Sequence, residues 1–92
     1  MSASSEVTHT RIVRLPDGVD LHARPAGALI RAAATFESSV TLSAGARSAD
    51  AKSILQVLAL GATGGSEVTV ATSGSDASDA LEAIAHLLGH LA

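Results

Sequence analysis

Apolar and β-branched residues run along "EVTHTRIVRL", residues 6–15, and stop at "PDG", residues 16–18, where each position carries turn chemistry. That segment predicts a first strand. Along "ARPAGALIRAAATFE", residues 23–37, the period changes, and Ala26, Leu29, Ile30, Ala33 and Ala34 recur at helical spacing with Arg31 and Glu37 off the stripe. A first helix is expected here. Pro25 marks its beginning, because a proline fits the first turn, where its missing N–H costs nothing.

"SSVTLSA", residues 38–44, alternates Val40 and Leu42 and predicts a second strand, Gly45 a turn, and "ARSADA" a short third strand. "KSILQVLALG", residues 52–61, returns to helical spacing through Ile54, Leu55, Val57 and Leu58, with Ser53 as N-cap and Gly61 just past the end. "ATGGSEVTVATSG" reads as a glycine-rich loop leading into a strand that keeps Val68 and Val70 on one face. Ser75 or Asp76 then caps a third helix with Leu81, Ile84, Ala85, Leu88 and Leu91 on its apolar face.

The order is βαββαβα. Strands that can pair antiparallel, with helices apolar on one side only, imply an α+β two-layer, open-faced β-sandwich: a four-stranded antiparallel sheet with three helices on one face. Residues 1–92 are expected to form a single domain, with residues 1–5, "MSASS", flexible.

Composition narrows the functions open to this fold. A chain of 92 residues buries only about 60–65% of its unfolded surface, so its core is small. Phe36 is the one aromatic residue, which removes any stacking platform for bases, and a formal charge of −3 lacks the basic footprint of a nucleic-acid binder. The absence of cysteine excludes disulfides and thiol chemistry. Neither a signal-peptide core nor a membrane-length apolar run is present, so a cytoplasmic protein is expected, without membrane partners.

"LHARPAG", residues 21–27, gathers the most reactive side chains. Neutral imidazole is nucleophilic near pH 7, and the start of a helix offers free amides and positive dipole to a dianionic phosphoryl group. Arg24 adds a fixed, bidentate positive charge. From these features alone a solvated surface pair is the plainer reading, and His22 is a candidate.

Ser53 has a structural role as N-cap, and the same position tolerates a phosphate. His86 and His90 stand four apart, the spacing of a two-histidine metal site, but only Asp79 and Glu82 of the same face are near, and no metal site is expected. His9 has no visible partner. "GATGGS", residues 61–66, lacks the Lys-Ser/Thr end of a phosphate loop and leads into a strand, so it reads as a turn.

Taken together and in order, "LHARPAG", "AKSILQVLALGA" from Ala51 and "GSEVTVATSG" resemble the HPr family, the histidine-containing phosphocarriers of the phosphoenolpyruvate-dependent sugar phosphotransferase system (PTS). The resemblance spans the first strand to the last helix. It implies that enzyme I phosphorylates His22, at Nδ1, and that His22 passes the group to IIA proteins of sugar permeases, with Arg24 steadying the phosphate. It implies a carrier rather than an enzyme, without cofactor or metal, acting as a monomer. By similarity Gly27 and Arg31 join Ile54, Leu55 and Leu58 as the partner-docking surface, although some apolar residues of a short helix must serve the core; Ile54 is expected to be partly exposed.

In some members the serine at the position of Ser53 is phosphorylated by an HPr kinase/phosphorylase, producing a partner for a catabolite-control regulator. The alternative reading is therefore a regulatory binding module, acting through Ser53 or as a nitrogen-branch signalling relative. A donor unit of a dihydroxyacetone kinase fits less well, as no linker is seen. Three positions depart from the family pattern: Asp20 where glycine is usual, Gly27 for a common alanine, and Gln56 where glycine is frequent. The Asp20 carboxylate could favour imidazolium or repel phosphate if it points toward His22, and each of the three could tune partner choice.

Overall fold

The computed structural model describes residues 8–91; the expected flexibility of residues 1–5, like the first two residues of the predicted first strand, falls outside them. The elements are β1 (Thr8–Arg14), α1 (Ala23–Ala34), β2 (Ser39–Ala44), β3 (Arg47–Asp50), α2 (Ile54–Leu60), β4 (Glu67–Ser73) and α3 (Ala77–Gly89). The strands form one antiparallel sheet in the order β1-β4-β2-β3, so the last strand lies between the first and the second. The predicted α+β open-faced sandwich is what the chain forms.

Strand alternation sets the two faces of the sheet. Val68, Val70 and Thr72 of β4, Val40 and Leu42 of β2 and Ala49 of β3 point into the core. The intervening positions include Thr10, Thr41 and Thr69 and, on β1, Ile12, which is 63% exposed. Thr72 is accommodated inside because its hydroxyl donates to the Ala77 carbonyl at 2.7 Å.

All three helices cover the inner face. α3 contributes Ala80, Leu81, Ile84, Ala85 and Leu88 to the core, α1 contributes Ala26, Leu29 and Ala33, and α2 contributes Val57 and Leu60. The stripe on α1 is narrower than its periodicity predicts. Ile30 is only partly buried and Ala34 is exposed, and the helix ends at Ala34 rather than continuing to Glu37. Thr35 closes it, its hydroxyl donating to the Ala32 carbonyl. Leu91, predicted on the third helix, lies beyond its end but still packs against the core.

Asp76 occupies the N-cap of α3 without capping it through its side chain. Its carboxylate reaches the chain between α1 and β2, accepting from the Glu37 amide at 3.0 Å, the Ser38 amide at 2.9 Å and the Ser38 hydroxyl. The Asp76 amide in turn donates to Ser38 Oγ at 3.1 Å. These bonds hold the Asp76 carboxyl below its ordinary pKa, the Ser38 hydroxyl contributing most and the backbone amides next. Gly74 permits the approach: at φ 136° a Cβ there would lie 2.7 Å from Ser38 Oγ.

Candidate functional site at the start of the first helix

His22 is the N-cap residue of α1, with extended backbone (φ −92°, ψ −163°), and its carbonyl accepts from the Ala26 amide at 2.7 Å. Its side chain makes no capping bond and is 80% exposed, so both ring faces are open to an incoming protein. The helix begins at Ala23, two residues before Pro25. Pro25 still lies in the first turn, where helix amides lack intrahelical acceptors. Ala23 and Arg24 supply the amides left at that end.

The loop that presents His22 is held by a second loop. The Leu21 amide donates to the Ala62 carbonyl at 2.9 Å, tying the loop to the chain just past the end of α2. The Gly64 amide donates to Asp20 Oδ1 at 2.8 Å. A Cβ on Gly64 would stand 2.6 Å from the Gly18 nitrogen, 2.7 Å from the Val19 nitrogen and 2.8 Å from the Pro16 carbonyl oxygen, so only glycine lets the two loops meet. The "GATGGS" segment is thus a turn, as read, and also the support under the histidine. Composition gave no signal of that support, because it depends on two loops that meet only in the folded chain.

With one oxygen fixed by Gly64, the other carboxylate oxygen of Asp20 faces the imidazole. Asp20 Oδ2 stands 3.6 Å from His22 Nε2, which is an ion-pair distance and too long for a hydrogen bond. Arg24 is exposed, and its guanidinium has no ion-pair or hydrogen-bond partner among the described residues. Arg31 lies back toward the start of α1: its Nη1 would be 3.3 Å from a Cβ on Gly27, so the glycine makes room for the guanidinium on the helix surface.

Ser53 caps α2, its Oγ accepting from the Gln56 amide at 3.3 Å. Gln56 also anchors this end of the helix, its Oε1 accepting from the Asp50 amide at 2.9 Å. At the other end, Gly61 takes the left-handed conformation (φ 67°) that ends the helix. Ile54, Leu55 and Leu58 are 40%, 78% and 41% exposed, whereas Val57 and Leu60 are buried. The helix therefore divides its apolar residues, and the three expected to dock partners are those facing outward.

α1 and α2 pack against each other, which brings the outward residues of α2 beside the helix that carries Gly27 and Arg31. Ser53 is not brought to His22. It caps the end of α2 opposite the one that meets the histidine loop, a separation of about 10 Å along the helix axis.

His86 of α3 and His90 at its C-cap form no candidate metal centre. Their rings stack with centroids 4.1 Å apart, His90 Nδ1 lies 2.8 Å from the His86 carbonyl oxygen, and Glu82 is paired with Arg11 at 2.6 Å. Among the described residues no group of three or more His, Asp or Glu side chains could hold a metal ion. The groove beside them, lined by Asp79, Ala83, His86 and Leu87, lies along α3 and includes none of the residues around His22.

Comparison with known proteins agrees with this geometry. The family model described as "PTS HPr component phosphorylation site" matches residues 9–90. The chain is 40% identical over 70 residues to the phosphocarrier protein HPr of Mycoplasma capricolum subsp. capricolum, covering 76% of this chain and 79% of that one. A crystal structure of HPr from Bacillus anthracis superposes with a TM-score of 0.84 at 32% identity, covering 88% and 96% of the two chains. The catabolite repression protein Crh of Bacillus subtilis, solved as a domain-swapped dimer, matches with a TM-score of 0.70 at 37% identity over 83% and 85%.

Fold and site define a small open-faced sandwich that presents a solvent-facing histidine at a helix start. The chain belongs to the HPr family of PTS phosphocarrier proteins. No helix among the described residues is long and apolar enough to cross a membrane.

Proposed function

We propose that this chain accepts a phosphoryl group from phospho-enzyme I on Nδ1 of His22 and delivers it to IIA proteins of sugar permeases in the cytoplasm. The observation that carries the reading is the exposed His22 at the start of α1, within the segment matched by the HPr family model. Arg24 and the free amides of the first turn offset the charge of the bound group. The chain is a carrier, phosphorylated and dephosphorylated by its partners, rather than an enzyme with its own turnover.

Imidazole is a tolerable leaving group, so the N–P bond keeps a high transfer potential and the step runs in either direction. Transfer through a loose, in-line transition state needs mainly positioning and charge stabilisation. Positioning falls to docking, for which we assign Gly27, Arg31, Ile54, Leu55 and Leu58. An apolar patch of this size beside one guanidinium suits a monomer that must bind and release several partners.

A second reading concerns Ser53. Its hydroxyl lies next to exposed Ile54 and Leu55, so a phosphate there would put a dianion into the docking patch while remaining favourable at the start of α2. This supports regulation by an HPr kinase/phosphorylase, with a catabolite-control regulator as reader.

The test is incubation of the purified chain with phosphoenolpyruvate, magnesium and enzyme I, followed by intact mass measurement. A gain of one phosphoryl group that is lost in acid and absent from His22→Ala is expected. No gain with an enzyme I that phosphorylates another HPr would overturn the reading.

A further inference from the structure

An imidazole accepts a phosphoryl group through whichever ring nitrogen carries the lone pair, and that choice is set by what its other nitrogen meets. At His22 the surroundings of the two nitrogens differ. Nε2 faces Asp20 Oδ2 at 3.6 Å, and that carboxylate is held in place because its Oδ1 takes the Gly64 amide at 2.8 Å. Gly64 itself sits where a side chain could not, against the backbone of residues 16–19. A freely rotating surface aspartate would have little effect at this distance. This one is oriented by a loop built to receive it.

We propose that Asp20 is a positioning residue for His22: its carboxylate, pinned by the Gly64 amide, holds the imidazole in the Nε2–H tautomer and so presents Nδ1 as the nucleophile. The proposal rests on the phosphocarrier reading and specifies how the acceptor nitrogen is selected. The Nδ1 lone pair attacks phosphorus on the donor's phosphohistidine. The new N–P bond forms as the donor's P–N bond breaks, and that electron pair returns to the donor nitrogen.

The Nε2 proton stays in place throughout, so no proton must enter or leave the ring. Positive charge that develops on the phosphorylated imidazole is balanced by the carboxylate beside Nε2. When the group moves on, the same proton remains and the neutral acceptor tautomer is restored.

Substituting Asp20→Asn separates this role from loop support. An asparagine can still accept the Gly64 amide through Oδ1, but it turns an NH2 donor toward Nε2, which favours the opposite tautomer. Asp20→Gly removes both contacts. The tautomer is read by long-range 1H–15N correlation NMR of the His22 ring, at a pH where titration in each protein shows the ring to be neutral. Turnover is read as kcat and KM for enzyme I with each protein as acceptor, and Tm reports folding.

The wild type is expected to be Nε2–H, Asp20→Gly to gain some Nδ1–H form, and Asp20→Asn to gain more. The kcat is expected to fall about 3- to 10-fold in Asp20→Asn, with KM within twofold. The same tautomer mixture in all three proteins, or a raised KM with unchanged kcat, would overturn the proposal and leave the carrier function standing. If Asp20→Asn does not fold, the comparison of wild type with Asp20→Gly decides by the same criterion. A wild type that takes no phosphoryl group from a competent enzyme I would instead overturn the carrier reading, while the tautomer comparison would still judge the Asp20 contact.

Discussion

In the proposed role, a phosphoryl group on His22 would meet two kinds of positive charge, the dipole and free amides at the start of α1 and the guanidinium of Arg24. They differ in how they can be removed. The amides belong to the backbone, whereas Arg24 is exposed and its guanidinium has no hydrogen-bond or ion-pair partner among the described residues, so replacing it breaks none of these. Arg24→Ala is expected to slow phosphoryl transfer from enzyme I about tenfold, roughly the 1.4 kcal/mol of one charge-assisted contact to phosphate, with Tm unchanged. Rapid-quench measurement of transfer, with Arg24→Lys recovering part of the rate, checks this. His22 and Arg24 became legible through the ordered motifs that resemble the HPr family, since on their own they read as a solvated surface pair. Asp20 was legible as a departure from the family pattern that could act on His22 if it faced the ring, but whether it faces the ring depends on Gly64, far along the chain.

α2 assigns its apolar residues to two uses. Val57 fills the core while Leu55 faces solvent, although both fit one short helical pattern, and Leu60, outside that pattern, is also buried. Periodicity finds such a helix but cannot apportion its residues, because seven residues give too few turns to define a stripe, and packing against β3, α1 and β2 decides which side is covered. The expected consequence is a clean separation by substitution. Leu55→Ala leaves stability within about 0.5 kcal/mol but weakens binding to enzyme I severalfold, measured by calorimetry. Leu29→Ala in α1, which is fully buried, costs about 2–5 kcal/mol in urea unfolding.

Across the whole molecule, acid acts on contacts remote from the histidine. The Asp76 carboxyl titrates below its ordinary range because of the Ser38 hydroxyl and nearby amides, and that of Glu82 does so because of its hydrogen bond and ion pair with Arg11. A carboxyl whose pKa is lowered by folding stabilises the native state above its unfolded pKa, and that stability is lost as pH falls through the folded value. Stability is therefore expected to decline below about pH 4, where unfolded carboxylates begin to bind protons, and less steeply in Asp76→Asn. Denaturant midpoints measured from pH 6 to pH 2 test this. The architecture was legible from element order and strand alternation. The Ser38–Asp76 tie was not, because a cap-like residue before α3 gave no indication that its carboxylate would serve a different segment.

The strand order also bears on how the chain emerges from a ribosome. β4 fills the place between β1 and β2, and the loop just before it supports the loop of His22. Residues 8–60 alone thus lack both the strand that joins β1 to β2 and the amide that anchors Asp20. Nascent chains should stay unstructured around the histidine until the segment through Ser73 is free of the exit tunnel, and nonlocal pairing of this kind makes folding late and concerted. Competence to carry a phosphoryl group is then expected only once β4 has joined the sheet.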